Sequence, residues 1–341
     1  MAYTTIKKPS DYFNTKLYTG NGSTQSITGV GFQPDWSWFK VRSEVGSHRL
    51  VDAVRGNTKY LFSNATDAEA TVTTNVTSFD SDGFSLGNGS INENTRTYAS
   101  WNWLASNTTA SNTDGSITST ISANTTSGFS IVSYTGTGAN ATVGHSLGSV
   151  AKMIMVKRRD TTGRWQVYHN SLGATKYLFL DGTEAEQTNS NRWNDTTPTS
   201  SVFSLGSSAE VNASGGTYIA YCFAEVKGFS KFGSYTGNGN ADGTFIYTGF
   251  KPAFVIAKGN SAGYQWSMCD NKRGTANTSN GEFLFAESSG STNFATNNWD
   301  FLSNGFKARA DYAAMNSSGI SYIYMAFAEE PLVGDNPATA R

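Results

Sequence analysis

Cysteine, proline, histidine and charged residues are all scarce in this chain. Its 341 residues include two cysteines, six prolines and three histidines, and only 15% are charged. Two cysteines exclude a disulfide-stabilised scaffold. The charged fraction is also too small for a protein of amphipathic helices, which need charged outer faces. Because the net charge is −1, nucleic acid is not expected as a partner, since it selects basic surfaces.

Long apolar runs are missing as well. No stretch of 18 apolar residues occurs, so the sequence predicts no membrane span. The opening Met1-Ala-Tyr-Thr-Thr5 lacks the basic and apolar regions of a signal peptide, and we expect synthesis in a reducing cytoplasm. Cys222 and Cys269 fit that compartment, and Cys222 is expected as a small buried thiol.

Glycine and aromatic residues are abundant instead. The chain has 35 glycines and is 13% aromatic, and its β-branched and aromatic runs are short and bounded by Gly, Asn and Asp-Gly pairs. Asp-Gly supplies the positive φ of tight turns between antiparallel strands. This pattern predicts an all-β protein.

One signature occurs three times. Its copies are Tyr18-Thr-Gly-Asn-Gly22, Tyr134-Thr-Gly-Thr-Gly138 and Tyr235-Thr-Gly-Asn-Gly239. Matching landmarks follow each copy in the same order: a lysine that closes an apolar run (Lys40, Lys157, Lys258), a phenylalanine (Phe62, Phe179, Phe285) and a final aromatic strand. The signatures are 116 and 101 residues apart, which is too long for a solenoid unit and suits a small domain. The sequence therefore predicts three tandem copies of one domain.

The last strand of each copy indicates how the domain is built. In the second copy Ile219, Tyr221 and Phe223 alternate with smaller residues such as Ala220 and Cys222. Side chains of a strand alternate between faces, so the large apolar set is expected in a sandwich core, with the other face covered too. We predict an antiparallel two-sheet β-sandwich of about eight strands, jelly-roll-like, for each copy.

The landmarks also divide the chain. The segment 106–126 is almost entirely Ser, Thr and Asn, which is typical of a linker, whereas the second copy runs directly into the third. The predicted units are an N-terminal arm (1–14), repeat 1 (15–105), the linker (106–126), repeat 2 (127–228), repeat 3 (229–330) and an extended tail (331–341).

Ser146 is a candidate nucleophile, because Gly144-His-Ser-Leu-Gly148 matches the Gly-x-Ser-x-Gly elbow. A strand, not a helix, is expected after it, and the other copies have no matching serine. A glycine-rich turn is the favoured interpretation.

Metal and acid–base sites are weakly indicated. Asp80-Ser-Asp82-Gly83 resembles the start of a calcium loop but lacks its later ligands. The histidines (His48, His145, His169) are too scattered for a local zinc site. Glu184 and Glu186 are spaced as a carboxylate pair, yet Asp67-Ala-Glu69 fills the same position in repeat 1, which favours a solvated turn. The sequence predicts no catalytic, cofactor-binding or metal site.

Most aromatic residues recur at core positions. Four tryptophans without a counterpart are better candidates for exposed contacts, for example with sugars: Trp165, Trp193, Trp266 and Trp299.

The ends of the chain carry a family resemblance. Met1-Ala-Tyr-Thr-Thr-Ile-Lys-Lys-Pro-Ser-Asp-Tyr-Phe-Asn-Thr15, Gly31-Phe-Gln-Pro-Asp-Trp36 and Tyr322-Ile-Tyr-Met-Ala-Phe-Ala-Glu-Glu-Pro331 resemble a family of repeat proteins in marine tailed bacteriophages. The resemblance implies a virion or tail-fibre structural protein and carries no catalytic residues.

Three functions remain open at this point. The first is a non-enzymatic virion component, on the tail as a fibre or appendage, as a homotrimer that contacts other virion proteins and the host surface. A pseudo-threefold monomer would instead suit a capsid decoration protein. The second is a module that binds surface glycans, and the third, which has little support, is a depolymerase with a buried carboxylate pair.

Overall fold

The apolar runs of the sequence are strands at the centre of three large antiparallel sheets. A computed structural model describes residues 4–261, 263–274, 281–295, 299–334 and 337–339. Strands dominate this part of the chain, and its helices span no more than four residues each. The all-β prediction is confirmed.

The strands fall into three groups along the chain. Repeat 1 follows a 3-10 helix (Pro9–Asp11) and contains β1 (Phe13–Thr19), β2 (Gln25–Thr28), β3 (Trp36–Val41), β4 (Arg49–Asp52), β5 (Lys59–Leu61), β6 (Ala70–Thr71), β7 (Val76–Asp80), β8 (Gly83–Leu86) and β9 (Thr97–Trp103). The second group contains β10 (Ala110–Asn112), β11 (Ser119–Asn124), β12 (Phe129–Thr135), β13 (Ala141–Gly144), β14 (Ala151–Arg158), β15 (Gln166–His169), β16 (Lys176–Phe179), β17 (Gln187–Thr188), α1 (Ser190–Trp193), β18 (Val202–Leu205), α2 (Ala209–Asn212) and β19 (Thr217–Ala224). Repeat 3 contains β20 (Ser230–Thr236), β21 (Phe245–Tyr247), β22 (Phe250–Gly259), β23 (Trp266–Asp270), β24 (Gly281–Phe285), β25 (Asn293–Ala295), β26 (Trp299–Leu302), β27 (Gly305–Ala308), α3 (Ala313–Asn316) and β28 (Ser321–Pro331).

Each group forms one large and one small sheet. The large sheets have the orders β1-β9-β3-β4-β5-β6, β10-β11-β12-β19-β14-β15-β16-β17 and β20-β28-β22-β23-β24-β25. The small sheets are β2-β8-β7, β13-β18 and β21-β27-β26. These unequal sheets differ from the two balanced sheets of a jelly roll, because one sheet of each repeat is extended to face the other repeats.

The register of the central strands defines equivalent residues. Trp36 pairs with Trp103, Met153 with Phe223, and Phe254 with Phe327. Trp103, Phe223 and Phe327 are therefore equivalent, and they meet one another with centroid separations of 6.5, 5.7 and 6.0 Å. The three repeats surround a common pseudo-threefold axis at this aromatic cluster.

The sequence predicts that the large apolar face of the last strand lines the sandwich core of its own repeat. The structure places that face elsewhere. Ile219, Tyr221 and Phe223 belong to a cluster of 33 buried residues that all three large sheets share, which we call the central core. The opposite face, with Ala220 and Cys222, packs against the small sheet of its own repeat. Both faces are covered because the three large sheets bury one another.

The predicted linker is wrong in part. Within 106–126, β10 and β11 are strands, and β11 pairs with β12 from Ser119–Tyr134 to Asn124–Phe129. Polar composition concealed them, because β10 is a short edge strand and β11 buries two serines, Ser119 and Ser122, in place of apolar residues.

The two terminal segments pack on the molecule. Ile6 and Phe13 are buried in the central core, so the predicted arm is fixed from at least Thr4 onward. Residues 1–3, with Tyr3, lie outside the described residues. At the other end Pro331 closes β28, and the Ala338 amide donates to its carbonyl at 2.8 Å.

Candidate functional site: the repeat interfaces and the outer faces

A cyclic set of hydrogen bonds joins the repeats at one position. His48, Trp165 and Trp266 each lie four residues before equivalent ends of β4, β15 and β23. The Trp165 indole donates to the Phe62 carbonyl and the Trp266 indole to the Phe179 carbonyl, both at 2.8 Å. These bonds run from repeat 2 to repeat 1 and from repeat 3 to repeat 2.

His48 closes this set. Its Nδ1 accepts from the Trp38 indole at 2.8 Å, so Nε2 carries the proton and donates to the Phe285 carbonyl at 3.1 Å. Burial holds the pKa of His48 well below its usual value and keeps the imidazole neutral. The histidine therefore has a bonding role at the interface of repeats 1 and 3.

The three landmark lysines follow the same cyclic rule. Each is fully buried and crosses to the neighbouring repeat: the Nζ atoms of Lys40, Lys157 and Lys258 donate to the carbonyls of Ser289, Thr66 and Glu184 at 3.3, 3.2 and 3.1 Å. Burial lowers the pKa of these amines, that of Lys40 to about 7 and those of the others to about 8. The lysine is thus conserved within the chain for its contact across the interface.

Buried ion pairs lie at two of the three equivalent strand ends, those of β4 and β23. Asp52 pairs with Arg55 and Asp270 with Arg273, each at 2.5 Å and without solvent exposure. Tyr221 of repeat 2 donates to Asp52 at 2.8 Å, and the Trp101 indole of repeat 1 donates to Asp270 at 3.0 Å. These carboxylates are saturated by neighbours and are structural.

His169 occupies the equivalent position in repeat 2. Its Nε2 lies 3.1 Å from the Tyr324 carbonyl of repeat 3, and its Nδ1 accepts from the Ser171 amide. Burial lowers its pKa to about 4, so it stays neutral. The histidines are separate interface groups, and the described residues hold no cluster of three or more potential metal ligands.

Ser146 is a turn residue. It has a left-handed φ of 53°, and its hydroxyl accepts from Asn112 at 2.7 Å. Neighbouring His145 directs Nε2 to the Thr199 carbonyl at 3.2 Å and accepts the Leu147 amide at Nδ1. Neither ring nitrogen is directed at the serine, and β14 follows, so the chain lacks the strand–serine–helix geometry of a nucleophile elbow here.

The candidate calcium and acid–base carboxylates have internal partners. Asp82 accepts the amides of Gly29 and Gly31 at 2.9 and 2.7 Å, which lowers its pKa. Asp80 accepts from the hydroxyls of Ser78 and Ser85, both at 2.7 Å. Both aspartates therefore brace the turns around β7 and β8.

Glu184 and Glu186 lie at the junction of repeats 2 and 3. Glu184 pairs with Arg164 at 2.5 Å, and Glu186 pairs with Lys176 while its amide donates to the Asn260 carbonyl at 2.8 Å. The equivalent Glu69 of repeat 1 accepts a bidentate pair of bonds from Arg159 of repeat 2. The recurrence that suggested a solvated turn reflects an interface position.

The expectation for the four tryptophans is wrong. Trp165, Trp193, Trp266 and Trp299 are at most 2% exposed. Both cysteines are buried as well, and burial raises the pKa of Cys222. Trp165 and Trp266 are counterparts of each other, since both indoles donate to equivalent carbonyls of the preceding repeat, so their recurrence marks the repeat interface.

Among the residues whose burial the structure describes, the exposed aromatic side chains are those of Phe245 and Tyr247, which the sequence argument missed. They are 43% and 55% exposed and lie two residues apart on β21, on one face of the small sheet. Tyr247 borders a groove of about 440 Å³, with Glu225, Lys231 and Gly249 among its other lining residues. Comparison of the repeats could have found them, because the equivalent residues are Ser26 and Thr28 in repeat 1 and Thr142 and Gly144 in repeat 2.

These features define an all-β protein of three repeats closed around one core. The chain belongs to the family described as Domain of unknown function (DUF7483), whose model matches residues 8–331 and so spans all three repeats. No curated protein and no solved structure is significantly similar to it. No helix among the described residues is long and apolar enough to cross a membrane.

Proposed function

We propose that the protein is a non-enzymatic structural component of a tailed-phage virion. The observation that carries the proposal is the closed arrangement of three repeats, in which buried lysines and indoles join each repeat to a neighbour and the Glu69–Arg159 ion pair joins repeat 1 to repeat 2. The carboxylates of Asp52, Glu69 and Asp82 are engaged in structural bonds. Such a rigid body suits a particle, where parts must resist unfolding and proteolysis.

Within the virion we place the protein on the tail, as a fibre or appendage that contacts the host surface. Its partners would be other virion proteins and further copies of the chain, with a homotrimer as the expected assembly. The family resemblance of the terminal segments supports this position, and the repeat 3 face with Phe245 and Tyr247 provides a surface for contact.

Capsid decoration is the alternative that the pseudo-threefold arrangement favours. One chain presents three similar large sheets around an axis through Trp103, Phe223 and Phe327. A single copy could therefore cover a site of threefold symmetry on a lattice.

Cryo-electron microscopy of intact particles tests these positions. Density for the chain on the tail, with a free distal face, would support the fibre or appendage. Density at threefold sites of the capsid would support decoration, and absence from purified particles would overturn the virion proposal.

Glycan binding is a second candidate function, favoured by the exposed Tyr247 beside the Glu225–Lys231 ion pair of the groove. An aromatic platform next to polar groups is suited to a sugar ring. A bacterial glycan array with the native protein and the Tyr247→Ala variant would test it, with Val45→Ala as the exposed apolar control. Binding that survives Tyr247→Ala would exclude this groove.

A further inference from the structure

Equivalent edges of the three large sheets differ in what covers them. β1, β12 and β20 are equivalent, because each carries the repeated Tyr-Thr-Gly signature at its end and pairs with the last strand of its repeat. β12 is covered by β11, whereas β1 and β20 are terminal strands of their sheets among the described residues. Among the described residues, one edge is thus paired with a further strand and the other two are not.

The covering segment of repeat 2 also reaches the small sheet. Ile117 forms a parallel bridge to Val143 of β13, and its amide donates to the Thr142 carbonyl at 3.0 Å. Asn112 lies directly against Gly144 and bonds to Ser146. Residues 112–124 therefore fill the groove between the large-sheet edge and the small sheet.

The same groove is open in repeat 3. Its walls are the β20 edge, with Ser230 and Lys231, and the end of β21, with Tyr247. Phe245 and Tyr247 stand at the positions of Thr142 and Gly144, which residues 112–117 cover in repeat 2. These two exposed aromatic side chains thus mark the position where repeat 2 holds a peptide segment.

The β20 edge also offers backbone donors. The Gly237 amide donates to Ile320 on the β28 side. Because backbone groups alternate in direction along a strand, the amides of Phe232, Ser234 and Thr236 point away from β28. The Phe232 amide donates to the Glu225 carboxylate at 3.4 Å, and the Thr236 carbonyl accepts from the Thr244 hydroxyl at 2.7 Å, so an added strand would replace these two side-chain bonds. A long edge strand of this kind is a template for pairing with another chain.

We infer that β20 and β21 form a docking site for an extended strand of a neighbouring protein chain, which adds to the β20 edge as β11 adds to β12. The fitting partner is a proline-free segment of small polar and β-branched residues, as in Ser119–Asn124. Main-chain bonds to β20 would supply affinity, and contacts with Phe245 and Tyr247 would supply specificity for repeat 3 over repeat 1. The inference rests on the geometry of these edges and not on the virion proposal.

The test uses the full chain and a synthetic peptide of residues 116–124, Ser-Ile-Thr-Ser-Thr-Ile-Ser-Ala-Asn. Hydrogen–deuterium exchange should show slower exchange in 230–236 and 245–247 when the peptide is present, with little change in 129–135. The matched control is the same peptide N-methylated at Thr120 and Ser122, the residues whose amides face β12 in the register of β11. It should give no protection.

A pair of protein variants locates the site. Ser234→Pro removes an outward amide from β20 and should weaken peptide binding at least tenfold. Leu17→Pro makes the equivalent change on β1 and should leave binding unchanged. Circular dichroism checks that both variants fold. If Ser234→Pro does not fold, the comparison of the unmodified and N-methylated peptides on the native protein tests the inference instead.

Three results would overturn the inference: no protection of 230–236, equal binding of the N-methylated peptide, or protection of β1 instead of β20. Protection of the same residues by cellotetraose, but not by the peptide, would assign the groove to a sugar and would also overturn it.

Discussion

The lysines that recur in all three repeats bond across the repeat interfaces, whereas the recurring signature tyrosines Tyr18, Tyr134 and Tyr235 bond within their own repeats. Lys40, Lys157 and Lys258 end apolar strands, where a charged side chain is unexpected, yet each is buried and donates to a carbonyl of the next repeat. A buried polar group must be hydrogen-bonded to be tolerated. Recurrence of a polar residue at a core position therefore indicates an interface.

The depressed lysine pKa values make stability depend on pH. Lys40 has a pKa of about 7 when folded and an ordinary value of 10.5, so between these limits the unfolded chain binds more protons. The free energy of unfolding should therefore rise with pH from about 7 to about 10. In Lys40→Met this slope should fall by up to about 1.4 kcal/mol per pH unit. Urea denaturation at several pH values measures it.

The exposed Lys8 provides the control for that experiment. Its side chain is 66% exposed, and Lys8→Met should leave the slope unchanged. An equal slope in native protein and Lys40→Met would show that the buried amine does not titrate in this range.

The buried Asp52–Arg55 pair gives a second prediction at this scale. Asp52→Ala leaves the Arg55 guanidinium buried without its main partner and should cost about 3–5 kcal/mol. Asp160→Ala, which breaks a partly exposed pair with Arg158, should cost less than about 1 kcal/mol. Thermal and urea unfolding compare them.

Repeat 2 supplies the residues for a compensating variant. Repeat 2 has His169 and Leu172 where repeat 1 has Asp52 and Arg55. The double variant Asp52→His, Arg55→Leu should therefore lose less stability than Asp52→Ala alone. If the double variant lost more stability than Asp52→Ala, the cost of Asp52→Ala could not be assigned to the unpaired charge of Arg55.

At the scale of elements, the repeats differ most at their sheet edges. The central strands keep register and burial, whereas β10 and β11 occur only in the second group among the described residues. An edge tolerates such additions because it leaves the ladder behind it unchanged. Differences in function between the repeats are therefore expected at edges and outer faces.

Thr120→Pro tests the role of β11 as a cap. The substitution removes an amide that faces β12, which should destabilise the protein by about 1 kcal/mol or more and expose the β12 edge. Faster amide exchange in 129–135 and concentration-dependent association in sedimentation are the expected results. Thr120→Ala keeps the amide at an exposed position and should change neither measurement.

At the scale of the molecule, the shared core is the largest single apolar cluster and joins all three repeats. The central core holds 33 buried residues, whereas the clusters within the repeats hold 20, 18 and 12. Burial of each large apolar side chain contributes about 1.5–3 kcal/mol. The repeats should therefore fold as one cooperative unit.

An isolated repeat checks this expectation. Residues 229–334 alone would expose Phe254, Ile256, Met325 and Phe327, which the other repeats cover in the full chain. We expect this fragment to bind a hydrophobic dye and to lack a cooperative thermal transition, whereas the full chain should show one. A folded, monomeric fragment would show that each repeat is an independent domain.

Part of this architecture could be predicted from the sequence. The all-β class follows from short aromatic and β-branched runs between glycine-rich turns, and the equivalent positions follow from the three signatures. The division into three tandem domains stays a prediction, and β1, β12 and β20, which carry the signatures, each pair antiparallel with β9, β19 and β28 in turn. The sequence also favours turns at Ser146 and Asp82, and hydrogen bonds to residues 34 and 53 positions away, Asn112 and Gly29, hold these turns in place.

The remaining features depend on contacts between distant residues. Period-two alternation separates the two faces of β19 but does not say which face meets another repeat, since both are apolar. Burial of Trp165 and exposure of Tyr247 likewise depend on which surface covers each one.

The sequence by itself determined the central strands, the turns and the threefold repetition of the signature, because these arise from backbone conformation and alternation along the chain. Only the tertiary structure decided that the repeats close around one core, that the lysines cross between them, and that the β20 edge stays open. Those outcomes are set by long-range packing, in which each sheet buries its apolar face against the others.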